Sequence, residues 1–367
     1  MNTHYRARAL VALIAVAATV AIALPRAANA QQKWDEVVAA AKKEGELVIK
    51  GAPGQIYNEV FAEAFKKKYP DIKVSYTGLH GFESIPRITR EREAGIYAWD
   101  VYIGGTPSTL DTLKPAGAFA PLQPALMLPE VIDDKNWFGG LGFGWQDVEK
   151  KFTLTFDFTV SAIGYVNWDF VKREDLKTVK DLLKPEFADK IVWDDPRQGG
   201  AGINSAVGFI MHGGEDFLVK LLKEQQIVYT NNGRQIAEWL VKGRYPIGIS
   251  AGPQHLEQFW RGGHGKNIDN WNGDMTTLIG GPGFGAIALM DKAPHPNAAK
   301  VYINWLLSKD GQMEYVKSGR NSRRLDVPPA DTALMAKPGA KYEDTQSEKS
   351  IPIRKRAAEI SRENIKQ

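Results

Sequence analysis

Residues 244–255 read RYPIGISAGPQH. Pro246 to Ile249 suit a buried strand, and the chain then passes through Ser250, Ala251, Gly252 and Pro253 into a segment that begins a helix near His255. A strand that ends on bare backbone and turns at once into a helix is one unit of a parallel α/β sheet, with the loop at the carboxyl edge where ligands bind. The same unit recurs on the amino-terminal side. Lys190 to Trp193 is followed by DDPRQGGAGINS and a helix over Ala206 to Met211, and Gln226 to Tyr229 by TNNGRQ and a helix over Ile236 to Val241. Further back, Leu47 to Ile49, Ile72 to Tyr76 and Asp100 to Ile103 each run into a loop holding glycine, namely GAPGQ, GLHGF and GGTPS.

Two such sets imply two lobes. Thr153 to Asn167 reads as extended and is long for one strand at the usual five or six residues, so it is expected to cross between them. Gly280 to Gly285 reads as the return crossing, and the strand Ala286 to Met290 and helix Ala298 to Leu307 then rejoin the first lobe. The expected boundaries are 31–155 plus 284–336 for lobe 1 and 160–282 for lobe 2, with strand hinges near 153–162 and 280–286. Residues 337–367 read as a charged, helical carboxyl-terminal tail.

Arg6 and Arg8 precede an apolar run from Ala9 to Leu24 that closes on Ala28-Asn29-Ala30, the pattern of a secretory signal (1–30) cut after Ala30. The run is shorter than the ~20 apolar residues of a membrane span. No cysteine occurs, so there is neither a lipid attachment point after the signal nor a disulfide, and a soluble, exported protein is expected. Loss of Arg6, Arg8 and Arg26 takes the formal charge from +4 to +1. Basic and acidic residues are interspersed, as in KREDLK, which does not make the basic stripe that nucleic acid requires.

Catalytic patterns are absent: the chain has no G-x-S-x-G, P-loop or H-E-x-x-H motif. His80, His212, His255 and His264 lack the spacing of zinc ligands. A non-enzymatic protein with no metal and no cofactor is expected.

Several phrases, in order, resemble a known family: WDEVVAAAKKEGELVI, KKKYPDIKVSYTG, EREAGIYAWDV, DLLKPEFADKIV, VKGRYPIGI and APHPNAAKVYINWLLSKDGQ, together spanning Trp34 to Val327. The chain is similar to periplasmic solute-binding proteins of the ferric-iron-binding type. The resemblance implies an α/β, two-lobed type II periplasmic binding fold, each lobe a mixed and mainly parallel sheet flanked by helices, with the ligand cleft between lobes. It also implies delivery of a small molecule to an ABC permease and its ATPase in the inner membrane. Ferric-binding members place an adjacent tyrosine pair just after a strand resembling YPIGI; here that place holds Ser250-Ala251-Gly252-Pro253-Gln254.

The resemblance also covers importers of phosphonates, phosphorylated sugars and other small anions, and with the arginine inventory it implies as ligand a small organic anion, a carboxylate, phosphonate or phosphorylated compound, possibly aromatic, bound by a monomer. Ferric-iron binding, polyamine binding and a chemosensory role beside a membrane receptor are the alternatives. In lobe 1 the strand-end positions Gln55, Gly81, Phe82, Gly105, Thr106 and Ser108 are candidates; Thr106 and Ser108 equally suit a helix start. In lobe 2 they are Arg197, Asn204, Ser205, Asn231, Asn232, Ser250, Gly252 and Gln254, where backbone N–H groups at helix starts favour anions and where asparagine and serine equally suit caps. Arginine suits carboxylate and phosphate, and Arg197, Arg234, Arg320, Arg323 and Arg324 fall in loops, Arg324 in a phrase, RRLDVPP, that the family resembles. Phe82, Trp145, Trp193, Tyr229 and Trp271 sit in or beside loops and could stack on an organic ligand.

Overall fold

The computed structural model describes residues 31–107, 109–160, 163–198, 200–280, 284–332, 335–336 and 342–365. A helix over 31–44 precedes strands β1 (Glu46–Gly51), β2 (Lys73–Gly78), β3 (Val101–Gly104), β4 (Thr153–Thr155), β5 (Phe158–Val160), β6 (Gly164–Asn167), β7 (Ile191–Asp194), β8 (Val228–Thr230), β9 (Ile247–Ile249), β10 (Ile268–Trp271), β11 (Thr277–Gly280), β12 (Ala286–Leu289) and β13 (Glu343–Asp344). One five-stranded sheet has the order β2-β1-β3-β12-β4 and another the order β10-β6-β9-β7-β8. In the first, β1 is parallel to β2 and β3, while β12 is antiparallel to β3 and β4. In the second, β7 is parallel to β8 and β9, while β6 is antiparallel to β9 and β10.

The extended segment over 153–167 breaks into three strands that belong to three different sheets. β4 edges the first sheet, β6 lies within the second, and β5 between them pairs antiparallel with β11. Asp157 interrupts the run between β4 and β5: it is fully buried, and its Oδ2 accepts hydrogen bonds from Tyr315 Oη (2.6 Å) and Arg320 Nε (2.7 Å). Gly285, on the return crossing, lies so close that a Cβ there would sit 2.4 Å from Asp157 Cβ.

Each sheet has its own apolar core. Leu47, Ile49, Val101 and Ile103 pack with Phe61 and Phe65, four apart on one helix, and with Tyr302, Trp305 and Leu306 of the Pro296–Leu307 helix. Val166, Ile191, Trp193 and Ile249 pack with Phe209 of the Ala201–Gly213 helix and Leu218 and Leu221 of the Glu215–Glu224 helix.

The carboxyl-terminal tail joins this second core. Its helix, Ile351–Asn364, contributes Ala357 and Ile360, with Ile365 just beyond, and Arg356 pairs with Glu215 at 2.9 Å. The polar stretch before it grips the other side of the molecule: β13 pairs with β11, Gln346 O accepts from Thr106 Oγ1 at 2.9 Å, and Glu348 pairs with Lys114 at 2.7 Å. Truncating Ile360, 1 % exposed, to alanine should cost about 2–5 kcal/mol in a urea titration. An unchanged midpoint would mean that the helix does not dock.

Candidate functional site

At the end of β9, Ser250 adopts φ 60°, the left-handed region that a side chain rarely occupies, so the turn stores about 1–3 kcal/mol of strain. Its contacts hold it there. Ser250 N donates to Ile163 O (2.7 Å), and its Oγ lies 2.7 Å from Ser205 Oγ and 3.1 Å from Ala201 O. Ser250 thus joins β9, the helix start after β7 and the chain just before β6.

The helix after β7 begins at Ala201, earlier than the sequence pattern indicates, so Asn204 and Ser205 lie inside it and not ahead of it. Ser205 is buried, and the half-buried Asn204 keeps a buried Oδ1 without a hydrogen-bond partner. The helix start already holds an internal anion, because Asp194 Oδ2 accepts from Gly202 N at 3.0 Å. Burial pushes the Asp194 carboxyl above its usual range, the Gly202 N–H pulls it back, Asp195 raises it again and His255 lowers it. Only glycine fits at 202, since a Cβ there would stand 2.0 Å from Asp194 O.

Asn232 serves as a cap, its Oδ1 accepting from Gln235 N at 3.1 Å at the start of the Gly233–Val241 helix, while Asn231 is exposed. The Pro253–Arg261 helix starts at Gly252 with no side-chain cap, and Gln254 falls in its first turn. His255 lies against Gly233, where a Cβ would meet its Nε2 at 2.4 Å. Arg234, His255 and Arg261 line an open concavity of about 420 Å3 with Glu257 and Gln258. Arg261 is paired with Glu257; Arg234 is exposed and makes no ion pair among the described residues.

Four of the five arginines singled out from sequence are engaged internally. Arg197 chelates Asp195 through Nε (2.9 Å) and Nη2 (2.6 Å), which holds the Asp195 carboxyl below its usual range against the opposing effect of burial. Arg324, 1 % exposed at its side chain, pairs with Asp326 at 2.8 Å and donates to Leu307 O at 3.0 Å, so it is part of the interior and not a ligand clamp. Arg320 is bound to Asp157, and the buried Arg323 donates to Thr155 O, Phe138 O and Gly140 O. A cavity of about 600 Å3 lined by Phe138, Phe158, Met335 and the segment 321–329 includes Arg323 and Arg324, but no residue at the parallel strand ends lines it.

On the first sheet, Phe82 is 79 % exposed at the start of the Gly81–Glu93 helix, with its ring stacked on His80 at 5.4 Å and 8°. Phe284 continues the wall, 6.2 Å from His80 and 5.7 Å from Tyr57. Glu83 accepts from His80 N at 2.8 Å and so satisfies that helix start from within. Gln55 is exposed and donates to Glu59 at 2.9 Å. Thr106 is fully buried by the tail and Gly105 O accepts from Thr109 Oγ1 at 2.6 Å, so Thr106 is structural and closed to a ligand; Ser108 lies outside the described residues. Trp145, Trp193 and Trp271 fill cores, and Tyr229 packs against one, which leaves Phe82 as the stacking surface of the five aromatics. The sequence pattern missed Lys50, fully buried on β1, whose only local mark is a cation inside the apolar run LVIKG.

The chain matches the family described as "Bacterial extracellular solute-binding protein" over residues 49–313. An uncharacterized protein of Haemophilus influenzae is 23% identical over 296 residues, 77% of this chain and 79% of its own length. Among solved structures, iron-bound HitA from Pseudomonas aeruginosa aligns with TM-score 0.59 at 16% identity, covering 87% of this chain and 98% of its own. AfuA from Actinobacillus pleuropneumoniae, with fructose-6-phosphate bound, aligns at 0.55 and 20%, covering 88% and 98%. A putative extracellular solute-binding protein from Bordetella parapertussis aligns at 0.66 and 13%, covering 88% and 99%. These likenesses establish the two-lobed periplasmic binding fold, in which the strand ends of both sheets border the ligand cleft. The chain belongs to the bacterial extracellular solute-binding protein family, and it is a binding protein of transport rather than an enzyme.

Proposed function

We propose that this protein captures a small organic anion with an apolar or aromatic body outside the cytoplasm and delivers it to an ABC permease and its ATPase. Two surfaces at the strand ends carry this reading. The first sheet offers an exposed ring platform, Phe82 on His80, and the second offers Arg234, which makes no ion pair among the described residues, beside His255. A ring suits the body of an organic ligand and a guanidinium suits its acidic group. The uncapped start of the Pro253–Arg261 helix at Gly252 adds backbone donors of the same sign.

Relatives of the fold carry iron and a sugar phosphate respectively. The proposed ligand follows the phosphate precedent. The turn over 250–254 has no phenolate, and among the described residues no group of three His, Cys, Asp or Glu is arranged to hold a metal ion. Export through a signal cut after Ala30, a monomeric state, the lobe boundaries at 31–155 plus 284–336 and 160–282, and hinges at 153–162 and 280–286 belong to the same proposal. Ser161, Ala162 and 281–283 lie outside the described residues.

Ligand-stripped protein should gain thermal stability with at least one of inorganic phosphate, citrate and benzoate, by ~2.7 kcal/mol at a hundred times its dissociation constant. A gain with ferric ion or spermidine and with none of the three anions would overturn the reading. Replacing Arg234 by alanine should weaken the bound anion about tenfold to a hundredfold, and Phe82→Ala about threefold to tenfold, as calorimetry would read. Both residues are exposed, so neither change should move the melting temperature of the empty protein by more than about 0.5 kcal/mol equivalent. X-ray scattering should show a smaller radius of gyration on ligand addition, from lobe closure about the crossings.

A further inference from the structure

We propose that Lys50 is the specificity-determining cation of the first lobe, its charge acting through the aromatic wall on the bound anion as a whole. Lys50 is next to last on β1, one residue from the carboxyl end that borders the cleft, opposite Thr77 of β2 and Tyr102 of β3. It is fully buried, and its Nζ donates to Ile103 O at 3.1 Å. An ammonium has three N–H donors, and among the described residues this one meets no acceptor besides Ile103 O.

What covers it is aromatic. Nζ lies 4.4 Å from the Tyr102 ring centre and 5.5 Å from that of Phe284. Such faces favour a cation while accepting no conventional hydrogen bond. Phe284 in turn lies against Tyr57 and His80, and His80 carries Phe82, so a run of rings connects the ammonium to the platform proposed for the ligand.

The groups facing this corner are Tyr102 on β3, Tyr57 on the helix that starts at Gln55, and His80 and Glu83 at the start of the Gly81–Glu93 helix. Glu83 is the charged group whose field reaches Lys50, and it forms no ion pair with it among the described residues. Burial pushes Lys50 down to about 7, with Glu83 opposing. A methionine of similar reach would fill this space without desolvating a charge. The costly residue makes sense where an anion arrives on the other side of the Phe284 ring, since little water then screens the attraction.

The proposal rests on the anion reading given above, and its test separates the two. Dissociation constants for phosphate, citrate and benzoate are measured by calorimetry between pH 6 and 9 on wild type, Lys50→Met and the double variant His80→Gln/His255→Gln. For the anion that binds, Lys50→Met should lose at least tenfold in affinity at pH 6.5 while melting no lower than wild type. Anion affinity needs the protonated ammonium, so in wild type it should fall about tenfold per unit as pH rises from 7.5 to 8.5. That slope should persist in the His80→Gln/His255→Gln double variant, which excludes both imidazoles, and vanish in Lys50→Met. Should the methionine variant not fold, the slope in the double variant decides alone. Binding with no slope there, or an unchanged affinity in Lys50→Met, overturns the role of Lys50 and leaves the anion reading standing. No binding of any of the three anions to wild type overturns the anion reading and this proposal with it.

Discussion

A carboxylate without solvent contact holds the crossing in register. Asp157 accepts from Tyr315 and Arg320, and Gly285 packs its backbone against the same side chain. Burial pushes the Asp157 carboxyl up, while Arg320, itself held above its usual range by this partner, pulls it back. An ion pair removed from water gains little net stability, but it tolerates few geometries. Here it fixes the outward and return crossings to each other and to the segment after the Lys309–Tyr315 helix, and so sets the place from which both sheets depart.

The electrostatics beyond that point follow one pattern: charges near the strand ends are largely satisfied by the chain itself. Asp194 holds a helix start, Asp195 holds Arg197, Glu83 holds its own helix start, and Asp326 holds Arg324. Such closed pairs keep an empty site stable and leave few charges open to an incoming solute. Arg234 stands out because it lacks this arrangement, and Lys50 because its covering atoms are rings.

Much of the architecture was legible because a strand followed by small residues and a helical stripe is a local pattern, and YPIGI, KIVW and LVIK all display it. The errors came where distant contacts override that pattern. Asn204 and Ser205 were misplaced because Gly202 reads as loop, yet it is a helical residue made necessary by the approach of Asp194 O. The engagement of Arg197 and Arg324 was written nearby, since each has its aspartate two residues away, in DPR and RLD. Burial of Thr106 was not, because its cover comes from Gln346. Ile353, Ala357 and Ile360 have helical spacing in a stretch otherwise dense in lysine and arginine, which hides the apolar stripe without naming its partner.

That last stripe bears on the order of events in the life of the chain. The second core includes Ala357, Ile360 and Ile365, whereas the first draws its last members from the Pro296–Leu307 helix and Tyr315, so the second lacks part of its lining until later in synthesis. Contacts this far apart in sequence form slowly. The second core is therefore completed after the first, and its sheet waits for a helix that packs on it from far along the chain.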